Sequence, residues 1–591
     1  MIEVNNINLR ETTQYELPLL KTNSVDGYDI YPTHKIEDNL IKIGYDSLAE
    51  ELKGHKCIKI DGYIGVIFEE IKEKLTASFK KNNIKPLWVN IGKAFKEESV
   101  IDNMILPFLG GDDPVFGKVT SLDLIDFFDK DKLNNLIEEK SDSMTIYYGT
   151  GASLIPLEAS KTIYFEISKN EIQFRSRAGS VRNLGATKPN DPKMMYKRFY
   201  FVDWIVLNKH KNSIKSHIDY MVDGQRTEDI SWINGNEWRN SIYSLLKSPI
   251  RVRPWFEPGV WGGQWIKNKI KGLQEDVVNY AWSFELILPE NGVILESSKA
   301  MLEFSFDFLM FISGESILGN DFETYGYQFP IRFDFLDTYD GGNLSIQCHP
   351  QLSYIQEHFG ENITQEETYY ILDATDDADV YLGFQEGIDS NEFEKALSKS
   401  IEEEKEVEIT KYVQRFKASK HDFYLIPPGT IHSAGEGNLV LEISSTPYIF
   451  TFKMYDWLRP GLDGKPRPLN LDRGMENVVF EYSGKRVEEE LISKPSLIES
   501  NKDFEFYHLP THEKHLYDVH RYTLRTSVVI EMNNKAHVLS LVEGNKIKII
   551  ANGKSTIYNY AESILIPACV GKYTVENLTQ KPVMFVKAFI K

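Results

Sequence analysis

The segment LSIQCHP (344–350) places Gln347 and His349 two residues apart on a predicted strand. Side chains at i and i+2 of a strand point to one face, so an amide and an imidazole would look into the same interior. The segment IPPGTIH (426–432) ends on His432, delivered to the start of a strand by a tight Pro-Gly turn. Between them, QEETYYILD offers Glu366 and Glu367. Two imidazoles, a carboxylate and a side-chain amide oxygen from separate strands suit one divalent metal ion. Such a set leaves a position for water or substrate, as a catalytic centre requires. The ligand types alone admit zinc, iron, manganese or nickel. The competing reading makes each histidine an ordinary packed or hydrogen-bonded residue. The two readings differ in whether the four side chains converge.

Convergence needs strands from one barrel or sandwich. Residues from about 251 to 480 supply short alternating segments with Gly, Asn and Asp turns: SFELILPENGVILESS, GGNLSIQCHP, TYYILDATDDADVYLGF, DFYLIPPGTIHSAGEGNLVLEIS and YIFTFKMYDW. One charged helical insert, NEFEKALSKSIEEEK (391–405), interrupts them with Phe393, Ala396 and Leu397 on one side. Residues 481–591 hold a second strand-rich block, including TSVVIEM, AHVLSLVEG, KIKIIANG, SILIPACVGKYTVEN and PVMFVKAF. A second small barrel is expected there.

Residues 1–250 read differently. IKIDGY (58–63) is a buried strand ending in a Gly turn, and Ile67, Phe68, Ile71, Leu75 and Phe79 follow at helical spacing. PLWVNIG (86–92) is a strand, LDLIDFFDKDKLNNLIEE (122–139) a helix, and MTIYYGTGAS (144–153) a strand. This alternation predicts a parallel α/β sheet. TIYFEIS and EIQFRSR are read as further strands. The overall expectation is a multidomain α+β chain with domains at 1–250, 251–480 and 481–591.

Composition fits that organisation. The chain has 591 residues, enough for roughly three to five domains. A net charge of −20 argues against a nucleic-acid partner, which needs a basic face. Hydrophobic residues make up 42% and aromatics 12%, which excludes global disorder. Cys57, Cys348 and Cys569 are far apart and suit a reducing, cytoplasmic setting. No signal peptide is read at the N-terminus, and apolar runs such as MLEFSFDFLMFISG carry charges and are too short to span a bilayer.

The middle block resembles type I mannose-6-phosphate isomerase, a zinc-dependent cupin. The matching segments keep the family's order: WGG (261–263), AWSFEL (281–286), FPIRFDFLD (329–337), LSIQCHP (344–350), ETYYILDA (367–374), IPPGTIHSAGEGNLVLEI (426–443), KMYDW (453–457) and GKPRPLNL (464–471). The final block resembles the family's second cupin, with LIPA at 565–568. The resemblance runs from near residue 251 to the end. It implies two cupin (jelly-roll β-barrel) domains, with zinc held by Gln347, His349, Glu367 and His432. It also implies a small-molecule sugar or sugar phosphate as substrate, isomerised through an enediolate with no redox cofactor. Glu367 rather than Glu366 falls at the family's ligand position.

Three positions depart from the family pattern. Asp334 and Gln365 stand where lysines are common, which weakens the usual means of holding a phosphate group. Lys453 replaces an arginine associated with proton transfer or charge stabilisation; it keeps the charge and loses the planar fork. Lys453 is the catalytic candidate. Arg332, Arg459, Lys465 and Arg467 are read as surface charges, with replacement of the missing lysines the alternative, Asp456 and Trp457 as closing a turn at the barrel end, and Trp255, Trp261 and Trp265 as a core plug rather than a sugar platform.

For residues 1–250, IDGYIGV (60–66) and YYGTGASLI vaguely resemble a nucleoside kinase of the uridine kinase type, whose phosphate-binding residues are missing. GGDDPVFGKV (110–119) has wrong spacing and two acids for a phosphate loop. The expectation is a degenerate, non-catalytic kinase-like domain or a structural one.

Overall fold

The computed structural model describes residues 8–22, 27–137, 143–157, 160–288 and 290–591. They divide into two units. The first comprises Met1–Asn23, Tyr31–Leu245 and Pro289–Gly314; the second comprises Ser24–Ile30, Leu246–Leu288 and Glu315–Lys591. The expected boundary near 250 is therefore crossed twice, since a short early segment joins the second unit and residues 290–314 join the first.

The first unit is built on a seven-stranded sheet in the order Lys42–Ile43, Ser231–Asn234, Tyr220–Asp223, Lys161–Glu166, Cys57–Gly62, Thr145–Tyr148 and Leu87–Asn90. The five strands from Tyr220–Asp223 to Leu87–Asn90 are parallel. Cys57–Gly62 lies inside this sheet and is buried along nearly its whole length, its Lys59 and Asp61 included. Helix Phe68–Lys81 turns Ile71, Leu75 and Phe79 inward, at the spacing of one helical face.

Two local expectations are corrected. The segment EIQFRSR is part of a helix, Lys169–Arg177, not a strand. Its charges find partners inside the unit: Glu171 receives Arg10 at 2.8 Å and Arg175 at 3.3 Å, one turn away. The Arg175 guanidinium also donates to the Gly65 carbonyl at 2.8 Å. The long helix expected over 122–139 is a 3-10 turn, Leu124–Phe127, and a short helix, Lys130–Asn135. Asp129 breaks it, with an extended backbone and a side chain that accepts from the Asp131 and Lys132 amides. Residues 138 and 139 of that segment lie outside the described residues.

Residues 290–314 belong to the first unit for an electrostatic reason as well as through pairing. Strand Gly292–Ser297 pairs with Thr33–Lys35 and Ala300–Ser305. Lys211 is wholly buried. It contacts Glu166 at 2.8 Å, Ser305 at 2.7 Å and Asp307 at 3.7 Å, and Asp307 also pairs with buried Lys169. Buried charges persist only when paired in this way.

In the second unit, two antiparallel sheets face each other. One has the order Phe423–Ile426, Glu366–Ala374, Asn438–Ser445, Ile331–Asp337, Trp282–Leu286 and Trp255–Glu257. The other runs Val413–Lys417, Asp379–Phe384, His432–Ala434, Ile346–Cys348 and Phe452–Tyr455. Leu336, Tyr369, Ile371, Val380, Leu382, Ala434 and Val440 pack between them in one core. Tyr482, Val487 and Leu491 pack into this same core, so it reaches past the expected boundary at 480. The insert is a helix, Ser390–Glu403, started by Asp389 and seated by Phe393 and Leu397.

The C-terminal block repeats the plan. Its six-stranded sheet runs Ser496–Ser500, Phe504–Leu509, Tyr517–Leu524, Val583–Ile590, His537–Glu543 and Ser563–Ile566. Its four-stranded sheet runs Ser527–Glu531, Lys572–Asn577, Lys546–Ala551 and Lys554–Asn559. Ile530, Leu541, Ile549, Val575 and Phe585 lie in their shared core.

One buried acid in this unit gives a stability test. Glu285 accepts hydrogen bonds from the Tyr28 and Ser283 hydroxyls. Burial pushes its carboxyl up from 4.5 to about 7 against the opposing charge of Arg251. Between those values the folded protein holds a proton that the unfolded chain has released. Stability therefore falls as pH rises through that window, by about 3 kcal/mol. Glu285→Gln keeps an acceptor and removes the titration. The drop in unfolding free energy between pH 4.5 and 7.5 is expected to shrink by about that amount in urea titrations. An unchanged drop would refute this account.

Candidate metal centre

His349 follows strand Ile346–Cys348, and the adjacent strand His432–Ala434 begins at His432. Gln347 is paired directly with His432. Glu367 comes from the facing sheet, at the start of Glu366–Ala374. The Pro-Gly turn does the work expected of it. Gly429 has φ +83°, its amide donates to the His349 carbonyl at 2.8 Å, and an added Cβ would meet the Gln351 amide nitrogen at 2.3 Å. Only glycine takes that turn without strain.

The four side chains converge. His349 Nε2 and His432 Nε2 lie 3.1 and 2.8 Å from Glu367 Oε1. The Gln347 amide nitrogen lies 3.3 Å from His432 Nε2. Both histidines are wholly buried and Glu367 is 1% exposed.

The tautomers follow from the outer contacts. His349 Nδ1 lies 2.9 Å from the Phe450 carbonyl, and His432 Nδ1 lies 2.9 Å from the Thr430 carbonyl. A carbonyl only accepts, so both Nδ1 atoms carry hydrogen and both Nε2 atoms present lone pairs inward. His349 Nε2 and Glu367 Oε1 have no hydrogen-bond partner. Lone pairs and a carboxylate oxygen aimed at one buried point repel each other, and a divalent cation there relieves that repulsion. The residues fit such an ion.

Surrounding groups orient the set. Gln365 donates to the second Glu367 oxygen at 3.3 Å, so this amide orients the carboxylate. Ser345 Oγ donates to the Gln347 amide oxygen at 2.9 Å. A half-turn of that amide would aim its oxygen at the centre and leave its NH2 to donate to Ser345.

Lys453 is half-buried and directly opposite Gln347 in the ladder, hence on the same face. Glu366 faces away from the cluster. Its carboxylate accepts from the Leu516 amide at 2.6 Å, and burial pushes it up to about 8.

The sequence reading missed Glu442. It pairs with Asp334 across strands and with Tyr369 on its other side, and it is 9% exposed. Burial raises the Asp334 carboxyl well above its usual range, with the Glu367 charge adding to the effect. Glu442 is raised likewise by burial and then by Asp334 and Glu367. A glutamate in the apolar run NLVLEISS was the available signal.

Three basic residues are not surface charges. Arg332 is 4% exposed and donates to the Pro447 carbonyl at 2.8 Å. Arg459 and Arg467 pair with buried Asp456 at 2.8 and 2.6 Å. Lys465 is exposed. Asp456 does close a turn, its carbonyl accepting from the Arg459 amide at 3.2 Å. Trp457 donates to the Leu344 carbonyl at 2.8 Å. Trp255, Trp261 and Trp265 are buried, with Trp255 stacked on Phe284 and Trp261 against Trp282.

In the first unit, the glycine segments are held by acidic side chains. Asp61 accepts from the Gly151 and Ser153 amides at 2.7 and 2.9 Å, and Asp113 from those of Val115 and Phe116, both at 2.9 Å. No described helix is long and apolar enough to cross a membrane.

Residues 44–247 match a family described as "Domain of unknown function (DUF8485)". Over 253 residues, 43% of this chain and 73% of the relative, the chain is 25% identical to a probable mannose-6-phosphate isomerase, GmuF, of Bacillus subtilis. It is 22% identical to mannose-6-phosphate isomerase ManA of the same organism over 348 residues, 57% of this chain and 98% of the relative. A solved Bacillus subtilis mannose 6-phosphate isomerase aligns with TM-score 0.48 and 19% identity, covering 58% of this chain and all of that one. A putative mannosephosphate isomerase from Archaeoglobus fulgidus aligns with TM-score 0.44 and 18% identity, covering 58% and 97%. The chain is thus related, at low identity and over about half its length, to mannose-6-phosphate isomerases.

Proposed function

We propose that the chain is a metal-dependent aldose–ketose isomerase that interconverts mannose 6-phosphate and fructose 6-phosphate. Gln347, His349, Glu367 and His432 hold the ion, with zinc expected. The observation that carries this reading is the convergence of His349 Nε2, His432 Nε2 and Glu367 Oε1 on one buried point, with both Nδ1 atoms committed to backbone carbonyls. When bound, the ion supplies Lewis acidity toward the sugar oxygens.

The chain's own residues do the rest. Moving a proton between C1 and C2 builds an enediolate, and Lys453 beside the ligand strand offers a positive charge to it. Buried walls on both sheets keep water from the intermediate. The first unit, whose glycine turns are held by its own aspartates, supports a non-catalytic role for residues 1–250, either degenerate kinase-like or structural.

Asp334 and Glu442 favour a second reading on the same fold, an unphosphorylated or different sugar. Two facing carboxyls and the neutral Gln365 line the site where anion-binding lysines would serve a phosphate. Isomerisation rates on fructose 6-phosphate and on free fructose, each with and without chelator, decide the matter. The proposal expects chelator-sensitive turnover at least tenfold faster on the phosphorylated sugar, a difference of about 1.4 kcal/mol in transition-state binding. A reversed preference favours the second reading. Sugar binding by calorimetry without turnover of either would make the chain a sensing protein and overturn both.

A further inference from the structure

The C-terminal barrel carries a histidine–aspartate cluster of its own. His508, on strand Phe504–Leu509, lies directly opposite His520 on strand Tyr517–Leu524. Asp518 precedes His520 by two residues, so all three side chains occupy one face of the sheet. Continuing along the Tyr517–Leu524 strand, that face carries Tyr522 and Leu524, which belong to the barrel core. The cluster therefore stands at one end of the barrel's inner wall. One ligating atom from each of the three residues lies within 4.8 Å of those of the other two. His508 Nε2 is 2.9 and 3.0 Å from the two Asp518 oxygens, and the His508 and His520 rings meet edge to face at 5.6 Å.

A simple ion pair accounts for His508 and Asp518 but not for His520, whose Nδ1 is buried without a hydrogen-bond partner. A buried polar nitrogen left unmatched is unfavourable, so its place beside a carboxylate and a second imidazole calls for an occupant. We propose that His508, Asp518 and His520 form a second divalent transition-metal site, separate from the central one. Two imidazoles and one carboxylate on one face make a three-ligand set with open positions for water, the donor set of zinc and of divalent iron or manganese. All three residues are half-buried, which leaves an entry path. The Asp518 carboxylate is steadied from behind by the Val519 amide at 3.0 Å and the Thr511 hydroxyl at 3.4 Å, as outer partners steady a ligand.

Lys587 sets the strength of the site. It lies directly opposite His520 on strand Val583–Ile590, is 5% exposed and sits over the Phe589 ring at 4.5 Å. Its ammonium beside the cluster repels a bound cation, so binding is weaker than the three ligands alone would give.

Elemental analysis of the full-length protein, saturated with zinc and then desalted, tests the site. The difference in zinc between wild type and a triad variant reports the C-terminal site, whatever the central site holds. The expected result is one equivalent fewer in His520→Ala and in the more exposed His508→Gln, with the central equivalent kept. In His349→Ala the C-terminal equivalent should persist. In chelator competition, Lys587→Met should bind the second zinc at least threefold more tightly. Wild type holding no more zinc than His508→Gln and His520→Ala would overturn the proposal. So would a wild-type excess that both variants retain.

Discussion

His432→Ala is expected to leave the protein without its central metal and to lower isomerase turnover by more than about a hundredfold, the upper range seen when only an outer partner of a metal ligand is removed. The reason is geometric. His432 Nε2 makes the shortest approach to Glu367 Oε1, at 2.8 Å, and its ring is fixed by the Thr430 carbonyl two residues back. Removing it leaves one imidazole, one carboxylate and one amide, a set that holds a divalent ion poorly. Metal content and turnover should fall together, and chelated wild type should reach the same rate. A circular-dichroism melt confirms that the variant is folded, since loss of a wholly buried ring also costs packing. Wild-type turnover in a metal-free His432→Ala protein would end the metal reading.

The site was legible because its chemistry depends on short-range pattern. Gln347 and His349 share a face by the period of two, and the Pro-Gly turn before His432 can be read from composition alone. The two adjacent carboxylates part ways, Glu367 to the imidazoles and Glu366 to the Leu516 amide. What stayed hidden was set by distant partners. Helix Lys169–Arg177 looked like a strand because Phe174 alternates with charges. The partners that make a buried charged helix tolerable, Arg10 and the Gly65 carbonyl, lie more than a hundred residues away. Residues 290–314 fall within the expected 251–480 block, yet Asp307 answers to Lys169 and Lys211. Arg332, Arg459 and Arg467 looked like surface charges because nothing local marks an arginine as buried. The Arg332 acceptor, the Pro447 carbonyl, becomes visible only once the strands are placed, whereas Asp456 stands three residues before Arg459 and only its burial is set by the fold.

Lys453→Met is expected to lower kcat by roughly a hundred- to a thousandfold, the range seen when one preorganised electrostatic group is removed from a developing anion. KM and metal content should change little. Lys453 is directly opposite Gln347, and directly opposed residues of an antiparallel pair have Cβ atoms about 5 Å apart on one face. The lysine stem therefore starts beside a metal ligand without being one. An enediolate carries negative charge that neither the aldose nor the ketose has, so a cation placed there acts on the transition state more than on the bound sugar. That difference puts the loss in kcat rather than KM. Lys453→Arg keeps the charge and should recover activity to within about tenfold of wild type, the remaining gap reflecting the different shape of the guanidinium. A methionine variant with wild-type kcat would show that the charge near the enediolate comes from elsewhere, with buried Arg332 the next group to test. A methionine variant that loses its metal would instead make Lys453 part of the scaffold that seats Gln347.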